Sequence, residues 1–152
     1  VGQKTGLAAP YYLARAQFFD RKGEYRKALP DYNQYDSLTH TVDPTFFYAR
    51  YKCETKLRMW QQALLDIART CYLAPKEPTY FAEWASLDLR VKRIDEGISA
   101  AKACINLAPE YADGYLLLGL LQREKGLKQE SIENLKKAQE LGDTRAEEYL
   151  KQ

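Results

Sequence analysis

Residues 112–142 read ADGYLLLGLLQREKGLKQESIENLKKAQELG. Apolar groups at three- and four-residue spacing predict a helix from Ala112 through Tyr115, Leu118 and Gly119. Gly126 supplies a tight turn, and a second helix runs from Lys128 to Leu141, stopped by Gly142. The same two-helix unit lies on the rest of the chain three more times. Small residues recur at Ala28, Ala63, Gly97 and Ser131, and leucines at Leu38, Leu73, Leu107 and Leu141. Both series step by 35, then 34, then 34 residues. Tyr32, Ile67, Ala101 and Leu135 keep these steps, and Pro75 and Pro109 are also 34 apart. A period of that length describes stacked helical hairpins, each burying its apolar face on its neighbours, rather than a globular domain built around a pocket.

Each hairpin has its punctuation. Asp43-Pro44 is a cap followed by proline at the first helical position, where the missing N–H costs nothing. Ala74-Pro75 and Ala108-Pro109 end second helices, and Gly23 and Gly126 suit the left-handed backbone of a helix-to-helix turn. The first hairpin is expected to start at Pro10 and to be the most irregular, because Pro30 falls inside its second helix. Tyr51 and Tyr35 stand where the other hairpins carry small residues, so packing there must differ.

Composition excludes several functions. The 152 residues carry 23 basic and 21 acidic groups, a net charge of +2 without a Lys/Arg block, so nucleic acid is not an expected partner. The longest apolar run, Tyr115 to Leu121, is far short of a membrane span. The chain starts at Val1, so any leader or upstream domain would lie outside what is read, and localisation is hardly constrained. Cys53, Cys71 and Cys104 show no C-x-x-C spacing and read as buried free thiols rather than a metal site. His40 is the single histidine and falls in a loop. With no nucleophile–base pairing, no phosphate-binding glycine loop and no H-E-x-x-H motif, the chain is expected to be neither an enzyme nor a cofactor binder.

These residues resemble the tetratricopeptide repeat, whose unit has the pattern W-x2-L-G-x2-Y, then A-x3-F, then P. In the fourth unit Tyr115, Leu118, Gly119, Gln122, Ser131, Leu135 and Ala138 stand at the pattern positions. In the first they are Tyr12, Arg15, Ala16, Phe19, Ala28, Tyr32 and Tyr35. The resemblance implies an all-α fold, a right-handed superhelical α-solenoid of antiparallel helix pairs. It would consist of an N-terminal tail, 1–8, and one domain, 9–152, with units at about 9–43, 44–77, 78–111 and 112–145 and a terminal helix, 146–152. That helix is either a cap or the start of a fifth unit, with Tyr149 continuing the series Tyr12, Phe47, Phe81 and Tyr115.

In such a solenoid the first helices line a concave groove. Helical spacing leaves Leu13, Gln17 and Arg21, then Tyr48, Lys52 and Lys56, then Glu83, Ser86 and Arg90, then Leu116, Leu117 and Leu120 on that wall. Ala14, Ala49, Ala82 and Glu124 lie between them. Arg21, Lys56 and Arg90 hold equivalent places, a cationic series, and the three leucines form an apolar patch. Both features fit a protein or peptide partner with apolar anchors and acidic residues. The bland alternative is a row of solvated charges beside ordinary packing leucines. Some family members grip a chaperone's C-terminal carboxylate with Lys, Asn, Asn, Lys and Arg. Here the matching places hold Leu13, Gln17, Ala49, Thr79 and Glu83, so that ligand is not expected. The function implied is a non-catalytic interaction scaffold, with a self-association module or a regulatory segment of a larger protein as alternatives.

Overall fold

The computed structural model describes the backbone of residues 2–152 and the side chains of residues 8–152. Among the described residues all regular structure is helical, in four antiparallel pairs and a short terminal helix. The pairs are α1 (Gly2–Arg21) with α2 (Tyr25–Thr39), α3 (Pro44–Lys56) with α4 (Trp60–Leu73), α5 (Pro78–Arg90) with α6 (Ile94–Leu107), and α7 (Ala112–Lys125) with α8 (Lys128–Glu140); α9 (Arg145–Leu150) follows. By its internal contacts the chain divides into two compact units, Val1–Leu73 and Ala74–Gln152. The division falls after the second hairpin, where Pro75 and Pro78 bracket the loop between α4 and α5.

Local chemistry sets the ends of these helices. Asp43 caps α3 by accepting the Thr45 N–H at 2.9 Å, with Pro44 at the first helical position. All four hairpin turns close with the same backbone bond to the residue five before: Glu24 N–H to Phe19 O, Met59 to Glu54, Arg93 to Asp88 and Leu127 to Gln122, at 2.8–2.9 Å. Gly23 and Gly126 take the left-handed backbone as expected, but Arg58 and Lys92 adopt it in the middle two turns. His40 is the left-handed cap of α2 and donates its N–H to Asp36 O at 2.8 Å, a structural duty.

The start of the first helix differs from the expectation. Helix α1 begins at Gly2, eight residues before Pro10, so residues 2–8 of the expected tail are helical backbone; Val1 lies outside the described residues. Proline forfeits one bond to the residue four before it, and Ala8 and Ala9 favour helix strongly. Pro30 lies inside α2, where the sequence places it. It stands on the exposed face, where water can take the carbonyl that its ring leaves unpaired.

The small positions are where the paired backbones cross. Ala28 and Ala63 are fully buried, and the Ser131 hydroxyl donates to Gly119 O at 2.7 Å. A Cβ on Gly97 would stand 2.7 Å from Leu121 Cδ2, and one on Gly119 would stand 2.9 Å from Leu135 Cγ and 3.1 Å from Ser131 O. The N-terminal half packs Ala16, Ala28, Leu29, Tyr32, Phe46, Phe47 and Cys53 together. In the C-terminal half Ala85, Ala100, Ala101, Leu118 and Leu121 form one cluster, and Leu116, Leu135, Ala138 and Ala146 another. The second cluster includes α9, which covers the end of α7 and α8. Cys53, Cys71 and Cys104 are buried free thiols, their pKa values pushed up to about 11 or 12 chiefly by burial, which leaves them poor nucleophiles.

Candidate functional site

The first helix of each hairpin presents side chains that packing does not use, and each half gathers some of them around a cleft. In the N-terminal half Gln17, Asp20 and Arg21 of α1, Tyr32 of α2 and Lys52 of α3 line about 410 Å³ of open space. Three of these, Gln17, Arg21 and Lys52, belong to the wall expected from the sequence. Tyr32 donates its hydroxyl to Asp20 Oδ2 at 2.7 Å; burial and then that bond hold the phenol above the usual tyrosine range. Tyr48 is half-buried. Its ring stacks on Tyr51 at 5.9 Å, and Lys52 Nζ stands 4.9 Å from its centre, so the ring offers its remaining surface beside a cation. Leu13 is half-buried against the core, and Lys56 is exposed in the last turn of α3.

The C-terminal half has a comparable cleft of about 370 Å³. Ser86, Leu89 and Arg90 of α5 face Leu120, Arg123 and Glu124 of α7, with Lys92 from the turn and Tyr149 from α9 closing the ends. Ser86, Arg90 and Leu120 are the wall residues found here. Lys92 pairs with Glu124 at 3.2 Å, both exposed. Arg123 lies over the Tyr149 ring at 5.2 Å and donates to Tyr149 O at 3.3 Å, which fastens α9 to α7.

The expected leucine patch is broken up. Leu116 is only 4% exposed, buried with Leu135, Ala138 and Ala146, so it is core and not contact surface. The cause is α9, whose position the sequence left open. Leu117 is half-buried on the α5–α6 core, and Leu120 alone reaches the cleft. Glu83 is half-buried and adds to the charges that hold the Tyr111 phenol high, after burial and the hydrogen bond to Asp113. Arg21, Lys56 and Arg90 each close a first helix, where a cation also complements the helix dipole.

Sequence reading missed a polar network behind the wall. Arg15 makes a forked contact with Asp31, at 2.6 and 2.7 Å, and Arg50 repeats it with Asp66 at 2.7 and 2.9 Å. Arg50 also reaches Asp36 of α2 at 2.9 Å. The signal was present: both Arg–Asp pairs are 16 apart and the second lies 35 after the first. Glu54 and Asp88, one hairpin apart, are buried carboxyls with raised pKa values. Burial is the main cause in both. The adjoining Asp66 raises Glu54 further, to about 9, and the nearby Arg93 partly offsets the rise of Asp88, to about 6. Among the described residues no group of His, Cys, Asp and Glu could hold a metal ion, and no helix is long and apolar enough to cross a membrane.

Comparison with known proteins agrees with this architecture. Residues 112–141 match the tetratricopeptide repeat family model. No curated protein sequence matches the chain. Among solved structures, YrrB, "a TPR protein with an unusual peptide-binding site", shares 20% identity over 95% of this chain and 74% of its own, with a TM-score of 0.87. MamA from Desulfovibrio magneticus RS-1 shares 22% over 93% of this chain and 81% of its own, TM-score 0.83. A thermophilic TPR protein of Thermus thermophilus shares 20% over 90% of this chain and 75% of its own, TM-score 0.67. At these identities the likeness is one of fold: antiparallel helix pairs in an α-solenoid.

Proposed function

As the chain carries a tetratricopeptide repeat at 112–141 and folds as a solenoid of such hairpins, we propose that it is a non-catalytic interaction scaffold, holding a peptide or helix of a partner protein on the walls formed by its first helices. The observation that carries this reading is that wall residues chosen for having no packing role line open clefts: Gln17, Arg21 and Lys52 in one half, Ser86, Arg90 and Leu120 in the other. The N-terminal cleft carries the cations Arg21 and Lys52, and the C-terminal one mixes cations with the apolar and aromatic surface of Leu120 and Tyr149, which suits a partner bearing apolar anchors and acidic residues. The peptide-binding site named for YrrB supports the same class of ligand.

The test is affinity capture from extract of the source organism by the wild type and by Tyr48→Ala/Ser86→Arg, both checked for helicity by circular dichroism. Ser86 is exposed, so its replacement leaves the core alone. A protein retained by the wild type and lost by the variant supports the wall as the site. Equal retention by both moves the contact elsewhere, and self-association, measured by sedimentation, becomes the better reading.

A further inference from the structure

The third hairpin has another opening, between its own two helices, that shares no residue with the cleft of Ser86 and Leu120. Phe81 and Trp84 of α5 face Glu96, Ser99, Ala100 and Ala103 of α6 across about 320 Å³ of open space. The two rings stack with centroids 6.5 Å apart, and both are half-buried. Trp84 packs against the core cluster of Ala85, Ala100 and Leu118, so the ring is held in place before anything binds.

What the second hairpin puts in the same place indicates what fits. Phe47, 34 residues before Phe81, is fully buried, with the Arg69 guanidinium 4.7 Å and the Arg50 guanidinium 5.6 Å from its ring centre. In the third hairpin the places of Arg69 and Asp66 are held by Ala103 and Ala100, and that of Arg50 by Trp84. The ring is kept and a second one added, while the side chains of the opposite helix are cut back to methyl groups. Space that a guanidinium fills in one hairpin is therefore open in the next. The rim is acidic: Arg93 lies between Asp88 at 3.5 Å and Glu96 at 3.9 Å, so two carboxylates share one cation. The exposed Ser99 hydroxyl donates to Asp95 O at 3.3 Å and keeps its lone pairs for a donor.

We infer that this opening receives an arginine side chain of a partner protein. The guanidinium lies against Phe81 and Trp84, and its N–H groups donate to the Glu96 carboxylate and the Ser99 hydroxyl. Arginine suits the site better than lysine, because its planar, weakly hydrated group stacks on a ring, and tryptophan offers a cation the strongest ring face. An apolar side chain would cover the floor and leave Glu96 unmatched. The site is separate from the first-helix walls, so it stands or falls independently of them.

The experiment titrates a blocked glycine–arginine–glycine peptide into the 15N-labelled chain at low ionic strength, with leucine or lysine in place of arginine as controls. The expected result is a shift of the Trp84 indole N–H and of the Ser99 and Ala103 amides, with a dissociation constant on the order of millimolar, as suits a single side chain. The leucine peptide should bind about tenfold more weakly, and the lysine peptide should fall between. Ala103→Arg, which restores the residue of the second hairpin, should fill the opening from within and abolish the shifts while circular dichroism stays that of the wild type. Trp84→Leu, the residue that the fourth hairpin carries at this place as Leu118, should weaken the arginine peptide about tenfold. Glu96→Gln should weaken it about two- to fivefold, the range of an exposed charge pair. Equal affinity for the arginine and leucine peptides overturns the choice of a cation. Unchanged binding in Ala103→Arg and Trp84→Leu moves the contact off this opening, and no shift with the arginine peptide overturns the inference outright. In each case partner capture lost in Tyr48→Ala/Ser86→Arg would still uphold the first-helix walls.

Discussion

The two halves of the molecule hold the same hairpin together by opposite means. In the N-terminal half, forked Arg–Asp contacts clamp the helices of each pair, Arg15 to Asp31 and Arg50 to Asp66. The equivalent places in the C-terminal half carry Trp84 with Ala100 and Leu118 with Asn134. Glycine enters the packing there, Gly97 and Gly119 leaving room that the side chains of Leu121 and Leu135 fill. Small residues make the crossing in both halves, Ala28 and Ala63 in one and Gly97 and Ser131 in the other, and the ion pair is what the N-terminal half adds beside it. The two solutions fail differently. A glycine contact is sensitive to volume, whereas an ion pair out of water is sensitive to the loss of one partner.

The largest expected effect follows from the second point. Arg50→Met leaves Asp66, only 6% exposed, and Asp36 without their cation. It should lower the unfolding free energy by about 3–5 kcal/mol in urea titrations. Arg50→Met/Asp66→Leu should recover part of that loss, because the stranded charge is gone. A single variant as stable as the wild type would remove the basis of the contrast. Next, Gly119→Val should cost about 1–3 kcal/mol by overpacking against Leu135 and the Ser131 carbonyl. Hydrogen exchange should place the loss in α7 and α8.

A pH-dependent effect sharpens the picture of the N-terminal half. Glu54 keeps its proton in the folded chain up to about pH 9, above the ordinary value of 4.5. Between those values the folded state holds a proton that the unfolded state has released. The stabilisation linked to that proton is therefore complete below about pH 4.5 and is lost as pH rises to about 9. Glu54→Gln, neutral throughout, should flatten the fall in urea midpoint across this window. An unchanged slope would assign the pH dependence to other groups. Last, the three thiols should ignore a disulfide reagent in the native chain and react in denaturant. Fast native reaction of Cys53 or Cys104 would mean that the crossing they occupy opens readily.

Much of the fold was legible because stacked hairpins write their period into the chain. The crossing residues, the Asp43 cap and the glycine turns recur where spacing puts them. Arg58 and Lys92 were not readable as left-handed, since that conformation is imposed by the common turn bond and not by the residue. The wall was legible in part. Gln17, Arg21, Lys52, Ser86, Arg90 and Leu120 line clefts because they follow from helical spacing alone. Leu116 departed because its burial depends on how α9 packs, a contact no periodicity within α7 encodes. The Arg–Asp clamps escaped notice because scattered charges were read as solvated, although burial had already selected two of them by repeating at the hairpin period.

Arg50 touches more than its own hairpin. A single guanidinium joins Asp36 on α2, Asp66 on α4 and the ring of Phe47 beside it, so three successive helices share one hub. A row of stacked repeats usually melts as separable steps, each governed by its own stability and its contact with the next. Here the first hairpin cannot detach without stripping a partner from the second. The two hairpins of this half should therefore unfold together, α1 to α4, with their slowest-exchanging amides opening at one common free energy.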